Sequence, residues 1–563
     1  MMKRVLLLVT AVLFMGLAAR SQFSEMIKKS EVHGSFEFDG AYYMPDDVIG
    51  ITDSMINGRN FAFNGFGNIT YTLGKFSAGI RYEAYLPPLA GFDPRAEGQG
   101  FPYIWASYTS EKFSFTIGNF YEQFGNGLTL RTYEEWSLGY DNSLNGARVT
   151  YEPVRGLRFK GVYGMQRFYW TPYTKNSRGI VKGVDAELDF NQVFKKMSES
   201  KVQLSIGGSF VSKYQADQDP LYKLPRNVGN MAGRLNFGVG RFNLSTEYAY
   251  KINDPSAIND LIYKEGQGFL ISATYATKGF GLYAMFKRYD NMSYKSNRAI
   301  TANGLDINFL PPNTETHTFM LTSMYPYNTQ PNGEIGFQFQ LNYKVPKKSK
   351  LGGKYGMGIA VNYSQVNDIV RDPVNVPGTD TTATGLPGTD GWTSPFFKFG
   401  KTVFWQDFNV EIDKKFSKKF KALLQYMYQT YDIATLEGHT GMPTVHSHIA
   451  VMEMTYKFTS KNALRWEVQG LWTQEDKGDW AAILLEFTAS PHWFVSVSDQ
   501  YNYGNPDEDL SIHYFTGSFG YTYRTTRIAL TYGRQREGIV CVGGVCRAVP
   551  ASSGFTLTVS SSF

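Results

Sequence analysis

The sequence predicts an all-β chain: a single large antiparallel transmembrane β-barrel of about 24 strands, give or take two, with short periplasmic turns and long extracellular loops. Three observations predict it. From Gly554 to the last residue, Phe555, Leu557, Val559 and Phe563 alternate with Thr556, Thr558, Ser560 and Ser562, and side chains in a strand alternate between its two faces. One face suits lipid and the other a polar lumen. Outer-membrane barrels commonly end on an aromatic residue, which makes Phe563 the expected barrel-assembly signal.

The second observation is the start of the chain. Lys3 and Arg4 precede an apolar run from Val5 to Leu17 and the small-residue site Ala19-Arg20-Ser21, the three parts of a secretory signal peptide. Residues 1–21 are therefore read as a cleaved signal and 22–563 as the barrel. The apolar run is too short for a retained spanning helix, and no long uninterrupted apolar stretch follows it. The third observation is composition. Aromatic residues make up 16% of the chain, with 38 Tyr and 42 Phe beside 56 Gly. A barrel sets such residues against lipid and in two interfacial girdles. The formal charge of +6 falls to about +3 once Lys3, Arg4 and Arg20 leave with the signal, so no broad basic field argues for nucleic acid.

The strand grammar then repeats along the chain. Phe76, Ala78, Ile80, Tyr82 and Ala84 alternate with Ser77, Gly79, Arg81, Glu83 and Tyr85, and the pattern returns at 157–166, 184–190, 202–210, 242–251, 335–344, 355–364, 408–413, 422–429, 464–473 and 527–532. The inward set includes Arg158, Lys160, Asp185, Glu187, Asp189, Asp407, Glu411 and Asp413. Charges at every second residue are costly in a dry core and natural in a wet or hydrogen-bonded lumen. Short turns near Gly74-Lys75, Glu111-Lys112, Gly240-Arg241 and Ser490-Pro491 interleave with long loops near 44–58, 86–102, 119–146, 211–229, 287–334 and 365–402. The short turns are rich in lysine, among them Lys195, Lys196, Lys347, Lys348, Lys418 and Lys419. They serve either as solvated strand ends or as an attraction to anionic lipid or an acidic periplasmic partner.

Both cysteines lie in Cys541-Val-Gly-Gly-Val-Cys546. If Gly543-Gly544 is a two-residue hairpin turn, Cys541 faces Cys546 across a non-hydrogen-bonded pair with Cα atoms about 4.5 Å apart, within disulfide range. An exported location favours the bond; metal and redox roles are the alternatives. Of seven histidines only His446 and His448 share a strand face at close spacing, fewer ligands than a metal site needs. No nucleophile elbow, phosphate loop or zinc spacing occurs, and the adjacent acids Glu134 and Glu135 point to opposite faces of a strand. No catalytic, cofactor-binding or metal residue is assigned, and the expected protein is not an enzyme.

The most distinctive stretch is Gly118-Asn-Phe-Tyr-Glu-Gln-Phe-Gly-Asn-Gly-Leu-Thr-Leu-Arg-Thr-Tyr-Glu-Glu-Trp136, followed by Gly139-Tyr-Asp-Asn-Ser-Leu-Asn-Gly146. Clustered glycine with Glu122, Arg131, Glu134, Glu135 and Asp141 suggests an ordered excursion held by ion pairs, where lipid exposure is prohibitive. Either it is a folded outside loop packed on its neighbours, or it dips into the lumen, making those five residues candidate constriction residues. With the tail Gly533-Arg-Gln-Arg-Glu-Gly and Val549-Pro550, this stretch resembles an uncharacterised family of Bacteroidota outer-membrane β-barrel proteins. The resemblance implies a fold and an outer-membrane location in a Gram-negative cell; it brings no activity. Asp53-Ser54-Met55 and Asp380-Thr381-Thr382 look like the Bacteroidota O-glycosylation triplet.

About nine residues separate the signal from the first strand, too few for a plug domain, and barrels of roughly 16–18 strands already enclose an aqueous channel. Something must fill a wider one. If a partner does, the protein is a subunit or scaffold of an outer-membrane assembly, secretion or surface-export complex. If the long loops fold inward, it is a loop-constricted porin-like channel for small polar solutes. Leu423, Met427, Tyr283, Met285 and Leu484 are inward in phase, so an occupied lumen and the complex subunit form the leading expectation and the channel its alternative. The expected partners are outer-membrane lipid and lipopolysaccharide, the barrel-assembly machinery during biogenesis, and outer-membrane or periplasmic proteins. No cofactor is expected.

Overall fold

A computed structural model describes residues 30–52, 59–170, 179–301, 304–374, 387–542 and 545–563. The signal segment 1–21, the two glycosylation triplets and the Gly543-Gly544 turn lie outside the described residues. Among the described residues one antiparallel sheet of 24 strands closes on itself. In chain order its first eight strands are β1 (Ser30–Tyr43), β2 (Phe61–Leu73), β3 (Phe76–Tyr85), β4 (Gly98–Thr109), β5 (Phe113–Phe120), β6 (Leu144–Val154), β7 (Leu157–Gln166) and β8 (Ile180–Asp189). Next come β9 (Val202–Tyr214), β10 (Asn227–Val239), β11 (Phe242–Lys251), β12 (Gly266–Thr277), β13 (Phe280–Asp290), β14 (Gly333–Val345), β15 (Met357–Ile369) and β16 (Phe399–Lys415). The last eight are β17 (Phe420–Asp432), β18 (Thr444–Lys457), β19 (Asn462–Trp472), β20 (Trp480–Ala489), β21 (Trp493–Tyr501), β22 (His513–Tyr523), β23 (Thr526–Gln535) and β24 (Ser552–Ser562).

Each strand pairs with its sequence neighbour, and β1 pairs with β24 from Ser35 opposite Ser562 to Tyr43 opposite Gly554. Closure leaves no open edge, so every ladder group finds a partner without water. The period-two pattern explains the two faces. Phe36, Ile69, Phe76, Ile104 and Ile117 are exposed on the outer wall, while the alternating Arg81, Asp185, Glu247, Gln338 and Asp407 are buried inside. Aromatic pairs ring both ends of the outer band: Phe76 with Tyr108 at 4.9 Å and Trp493 with Tyr521 at 4.3 Å on the short-turn side, and Tyr532 with Phe555 at 4.7 Å on the long-loop side. These are the two girdles that a bilayer demands.

The inner wall is not wet throughout. Met427 and Met285, two of the inward apolar residues, are buried in clusters that also contain loop residues, Leu321 and Tyr325 in one and Leu128 and Met292 in the other. Two outside segments, 121–143 between β5 and β6 and the described residues of 291–332 between β13 and β14, supply this filling. The segment after β15 behaves differently. Phe396 packs against Phe269 at 5.7 Å and Tyr248 at 6.4 Å, and Phe397 against Phe286 at 6.0 Å, all on the outer wall. The channel alternative has the long loops, 365–402 among them, folding inward; for residues 387–399 the structure corrects this. Their aromatic side chains find apolar partners outside the barrel, and they also cover the outward Arg288, which lies 4.9 Å from the Phe396 ring centre.

Candidate functional site

The first filling segment begins where β5 ends. A small ladder pairs Gln123 with Arg131 and Phe124 with Leu130, and its tip turns at Gly125, whose φ of 52° is left-handed and easily held by glycine. The tip reaches the wall a quarter of the way round, where Glu247 of β11 accepts from the Asn126 amide at 2.7 Å and from its side chain at 2.9 Å. Asn230 of β10 donates to the Leu128 carbonyl at 2.9 Å. Phe124, Leu128 and Leu130 are fully buried, so the hairpin is an apolar wedge tied at its end by polar wall residues. A second ladder, Glu134–Glu135 with Tyr140–Asp141, returns the chain towards β6.

Segment 291–332 lies across the first. Arg131 donates its amide to the Ile307 carbonyl at 2.8 Å, and the Phe309 amide donates to Gly127 at 2.9 Å. Three inward lysines anchor one end. Lys213 donates to the Lys295 carbonyl at 2.7 Å and pairs with Asp254 at 2.5 Å; Lys251 donates to the Ser293 carbonyl at 2.5 Å; Lys287 pairs with Glu334 at 2.5 Å and donates to Tyr327 at 2.7 Å. The other end is held further round the wall, on β16, β17 and β19. The Leu321 amide donates to Gln469 at 3.0 Å, Gln429 donates to the Tyr325 carbonyl at 2.8 Å, and His317 bonds Asp407 at 2.7 Å. Burial pulls the His317 imidazolium down, but the hydrogen bond and charge of Asp407, with Glu315 beyond, outweigh it and raise the pKa above its ordinary value.

An ion-pair knot fixes the first segment to β3. Arg81 pairs through Nε with Glu83 at 2.6 Å, through Nη2 with Asp141 at 2.5 Å, and through Nη1 with Glu134. Arg167 pairs with Asp141 and Glu83, each at 2.7 Å. The β3–β4 register shifts between Arg81 and Glu83, and such irregularities re-aim strand side chains. Burial pushes the Asp141 carboxyl up, yet Arg167, Arg81 and the Ser143 amide together hold it below the usual carboxylate range. Of the other sequence candidates, Glu122 pairs with Lys160 at 2.8 Å and lies 3.7 Å from Arg148. Arg131 forms no ion pair among the described residues; its guanidinium lies 3.9 Å from the Phe309 ring centre. Glu135 caps the turn Trp136–Leu138, accepting from Ser137.

Arg81, Arg167, Lys213, Lys251, Lys287 and His317 were not singled out from sequence. The available signal is a charged residue in inward phase near the outside end of a strand, which locates an anchor without naming what it holds. His446 and His448 share an outward face, with the His448 ring bonded to Tyr426 at 2.8 Å. Among the described residues no three His, Cys, Asp or Glu side chains gather as a metal set. Strands Gly538–Val542 and Val545–Val549 pair with Cys541 opposite Cys546, the register assumed from sequence.

An apolar outer band, two girdles and a closed sheet around an inward-folded chain define an integral outer-membrane β-barrel of a Gram-negative cell. The chain belongs to the family of unknown function DUF6029, which it matches over residues 1–563. No curated protein matches it. Among solved structures it is similar to the P pilus usher PapC translocation pore, at 9% identity over 94% of this chain and 99% of that one, with a TM-score of 0.43. It is also similar to the siderophore receptor PirA from Pseudomonas aeruginosa, at 9% identity over 95% and 80% with a TM-score of 0.39. OccAB4 of Acinetobacter baumannii is a third, at 11% identity over 84% and 98% with a TM-score of 0.33.

Proposed function

We propose that this protein is a non-enzymatic, porin-like channel for small polar solutes, constricted at its outside half by its own segments 121–143 and 291–332. In this reading residues 1–21 leave as a signal, 22–563 form the barrel, and Glu122, Glu134 and Asp141 hold the constriction in place. The Bacteroidota origin belongs to the same reading and rests on the two motifs that carry the resemblance.

The division of the lumen along its axis carries the reading. Towards the short-turn end the inward wall is polar and hydrated in character: Gln203, Ser205, Asn236, Asn243 and Ser245 line a recess of about 520 Å³, and inward charges such as Arg465 with Glu467 and Glu486 line the wall elsewhere. At the outside end the inward residues are buried against the two segments. A water-lined approach that meets a wall made of the protein's own loops is the layout of a channel with a constriction. A subunit or scaffold whose partner fills the lumen would need space that this chain already occupies, which favours the channel over that reading.

The test uses the purified full-length protein in planar bilayers and in liposomes. Small or silent conductance with size-limited passage of sugars and amino acids is expected, and deleting 123–140 is expected to raise both conductance and size limit. Large open channels from the intact protein would overturn self-occlusion. No solute passage before or after the deletion would return the protein to the scaffold class.

A further inference from the structure

The two inward segments do not fill the lumen evenly. In the outside half of the wall from β8 to β18, inward residues such as Val181, Val211, Ala249, Met427 and Ile449 are fully buried. At the seam the inward Thr556, Thr558 and Ser560 of β24 are exposed. Hydroxyls continue this wall, with Ser498 bonded to Thr516 at 2.6 Å and Ser518 to Thr531 at 2.7 Å. The lumen is therefore open along the seam up to Thr556. There it meets a cavity of about 360 Å³, lined by Gln500, Thr516, Thr531 and Arg536 on the wall side and by Met320 and Ser323 of segment 291–332 on the other. Thr556 belongs to the lining as well, which makes the cavity continuous with the open column, and the last outside hairpin covers it with Ile539 and Val549. The volume lies within the range of small-molecule sites, roughly 300–1,000 Å³.

Charge defines what this cavity suits. No carboxylate lines it. Arg534, also in the lining, is matched by Asp46 at 2.6 Å. Arg536 has no ion-pair partner among the described residues, since the neighbouring Glu537 is taken by Lys477 at 2.7 Å. Its Nε donates to Gln500 at 3.3 Å and its Nη1 to the Glu537 carbonyl at 3.2 Å, while Nη2 has no acceptor. Arg536 is half-buried, and Nη2 is not among the nitrogens shut off from solvent. A reachable guanidinium end of this kind favours an oxyanion. The inward acids Glu37 and Asp39 of β1 stand lower in the column. Asp39 is four residues below Tyr43, the cavity's residue on that strand, a distance of roughly 13 Å along the strand. That exceeds the Debye length of about 8 Å at physiological salt, so these acids do not cancel the field of Arg536.

We propose that this cavity is the narrow point of the route through the constriction and that it takes small hydroxylated carboxylates, the carboxylate on Arg536 and the hydroxyls on Gln500, Thr516, Thr531 and Ser323. The assignment gives the channel reading a solute class and rests on that reading for passage, not for binding. Titration calorimetry of the full-length protein in detergent, with D-gluconate and its uncharged counterpart D-glucitol as probes, tests it; conductance of the same preparation is read separately. Saturable gluconate binding is expected, with glucitol at least roughly tenfold weaker, because a charge-assisted hydrogen bond gains about that factor over a neutral one. Arg536→Gln should bring the two affinities together, and Arg536→Lys should keep part of the preference. Arg527→Gln removes an exposed inward cation lower in the column, opposite Ser560, and should leave the ratio unchanged. Met320→Trp should weaken both probes by filling the cavity. Absent gluconate binding, equal affinities in the unmodified protein, an unchanged ratio in a folded Arg536→Gln, or unchanged gluconate affinity in Met320→Trp would each overturn the site. An equal loss of preference in Arg527→Gln would overturn it in favour of a diffuse field. If Arg536→Gln does not fold, Arg536→Lys and Met320→Trp decide. Gluconate binding without conductance would remove the channel and leave the site, whereas conductance without gluconate preference would do the reverse.

Discussion

At the scale of single residues the occluded lumen rests on charges that have no water to fall back on. Arg81 has a side chain only 4% exposed and faces Glu83 at 1% and Asp141 at 10%. Removing one partner of such a set leaves buried charge uncompensated, at a cost of about 3–5 kcal/mol. Arg81→Met is therefore expected to loosen segment 121–143, read as new protease cleavage within it on intact cells. Arg81→Lys should rescue poorly, because one ammonium cannot replace a fork that serves three carboxylates. His317 adds a pH dependence. Its raised pKa, set by Asp407 and Glu315 against burial, means that its protonated form favours docking. That contribution is complete below about pH 6.5, the ordinary imidazole value, and is lost as pH rises through the raised one. Protease access to 291–332 should increase with pH across that window, and His317→Gln should flatten the curve. Unchanged pH dependence in the variant would remove the pair from the account. Glu122, Glu134 and Asp141 were legible as charged members of an ordered excursion. Their partners Lys160, Arg81 and Arg167 were not, because alternation tells which face a residue takes and not which loop will meet it.

Elements divide the same way into what local pattern reveals and what distance hides. Strands such as Phe76–Tyr85 and Leu157–Gln166 were readable to within a residue, since period two is a local property and the short turns Gly74-Lys75 and Gly240-Arg241 punctuate it. The inward phase of Met285 and Met427 was readable for the same reason. The course of the long loops was not. Residues 291–332 and 387–399 are both aromatic connections near strand ends, yet one lies inside the barrel and the other against its outer wall. What separates them is the wall they meet: buried lysines on β9, β11 and β13 offer donors to the backbone of the first, and outward Phe269 and Phe286 offer apolar surface to the second. The last outside hairpin allows a direct check. Its register sets Cys541 opposite Cys546, so non-reducing peptide mapping of freshly isolated membranes should find the two linked within one molecule. Free thiols at both would leave the hairpin held by its ladder alone.

For the whole molecule, one seam decides whether a barrel exists. β1 and β24 are the ends of the chain's strand order, and their pairing turns an open sheet with two adhesive edges into a closed one. The last residue is part of that seam: the Phe563 amide donates to the Gly34 carbonyl at 2.9 Å, and the Gly34 amide donates back at 3.0 Å. The Phe563 ring lies over Gly34 so closely that a Cβ there would overlap it, while the ring itself is 75% exposed on the outer wall. An exposed aromatic resting on glycine suits both lipid contact and recognition during assembly. Cutting the chain at Gly554 removes the seam entirely and should leave no heat-modifiable barrel in the outer membrane. Phe563→Asp keeps the seam's hydrogen bonds but sets a charge on the lipid face, so assembled protein should fall sharply while any molecules that close retain normal thermal stability. Gly34→Val should act through the same contact by displacing the ring, giving an intermediate loss. Heat-modifiability on unboiled gels reads the closed fraction in each case, and normal outer-membrane levels of closed Phe563→Asp protein would show that the terminal aromatic is not an assembly signal in this chain.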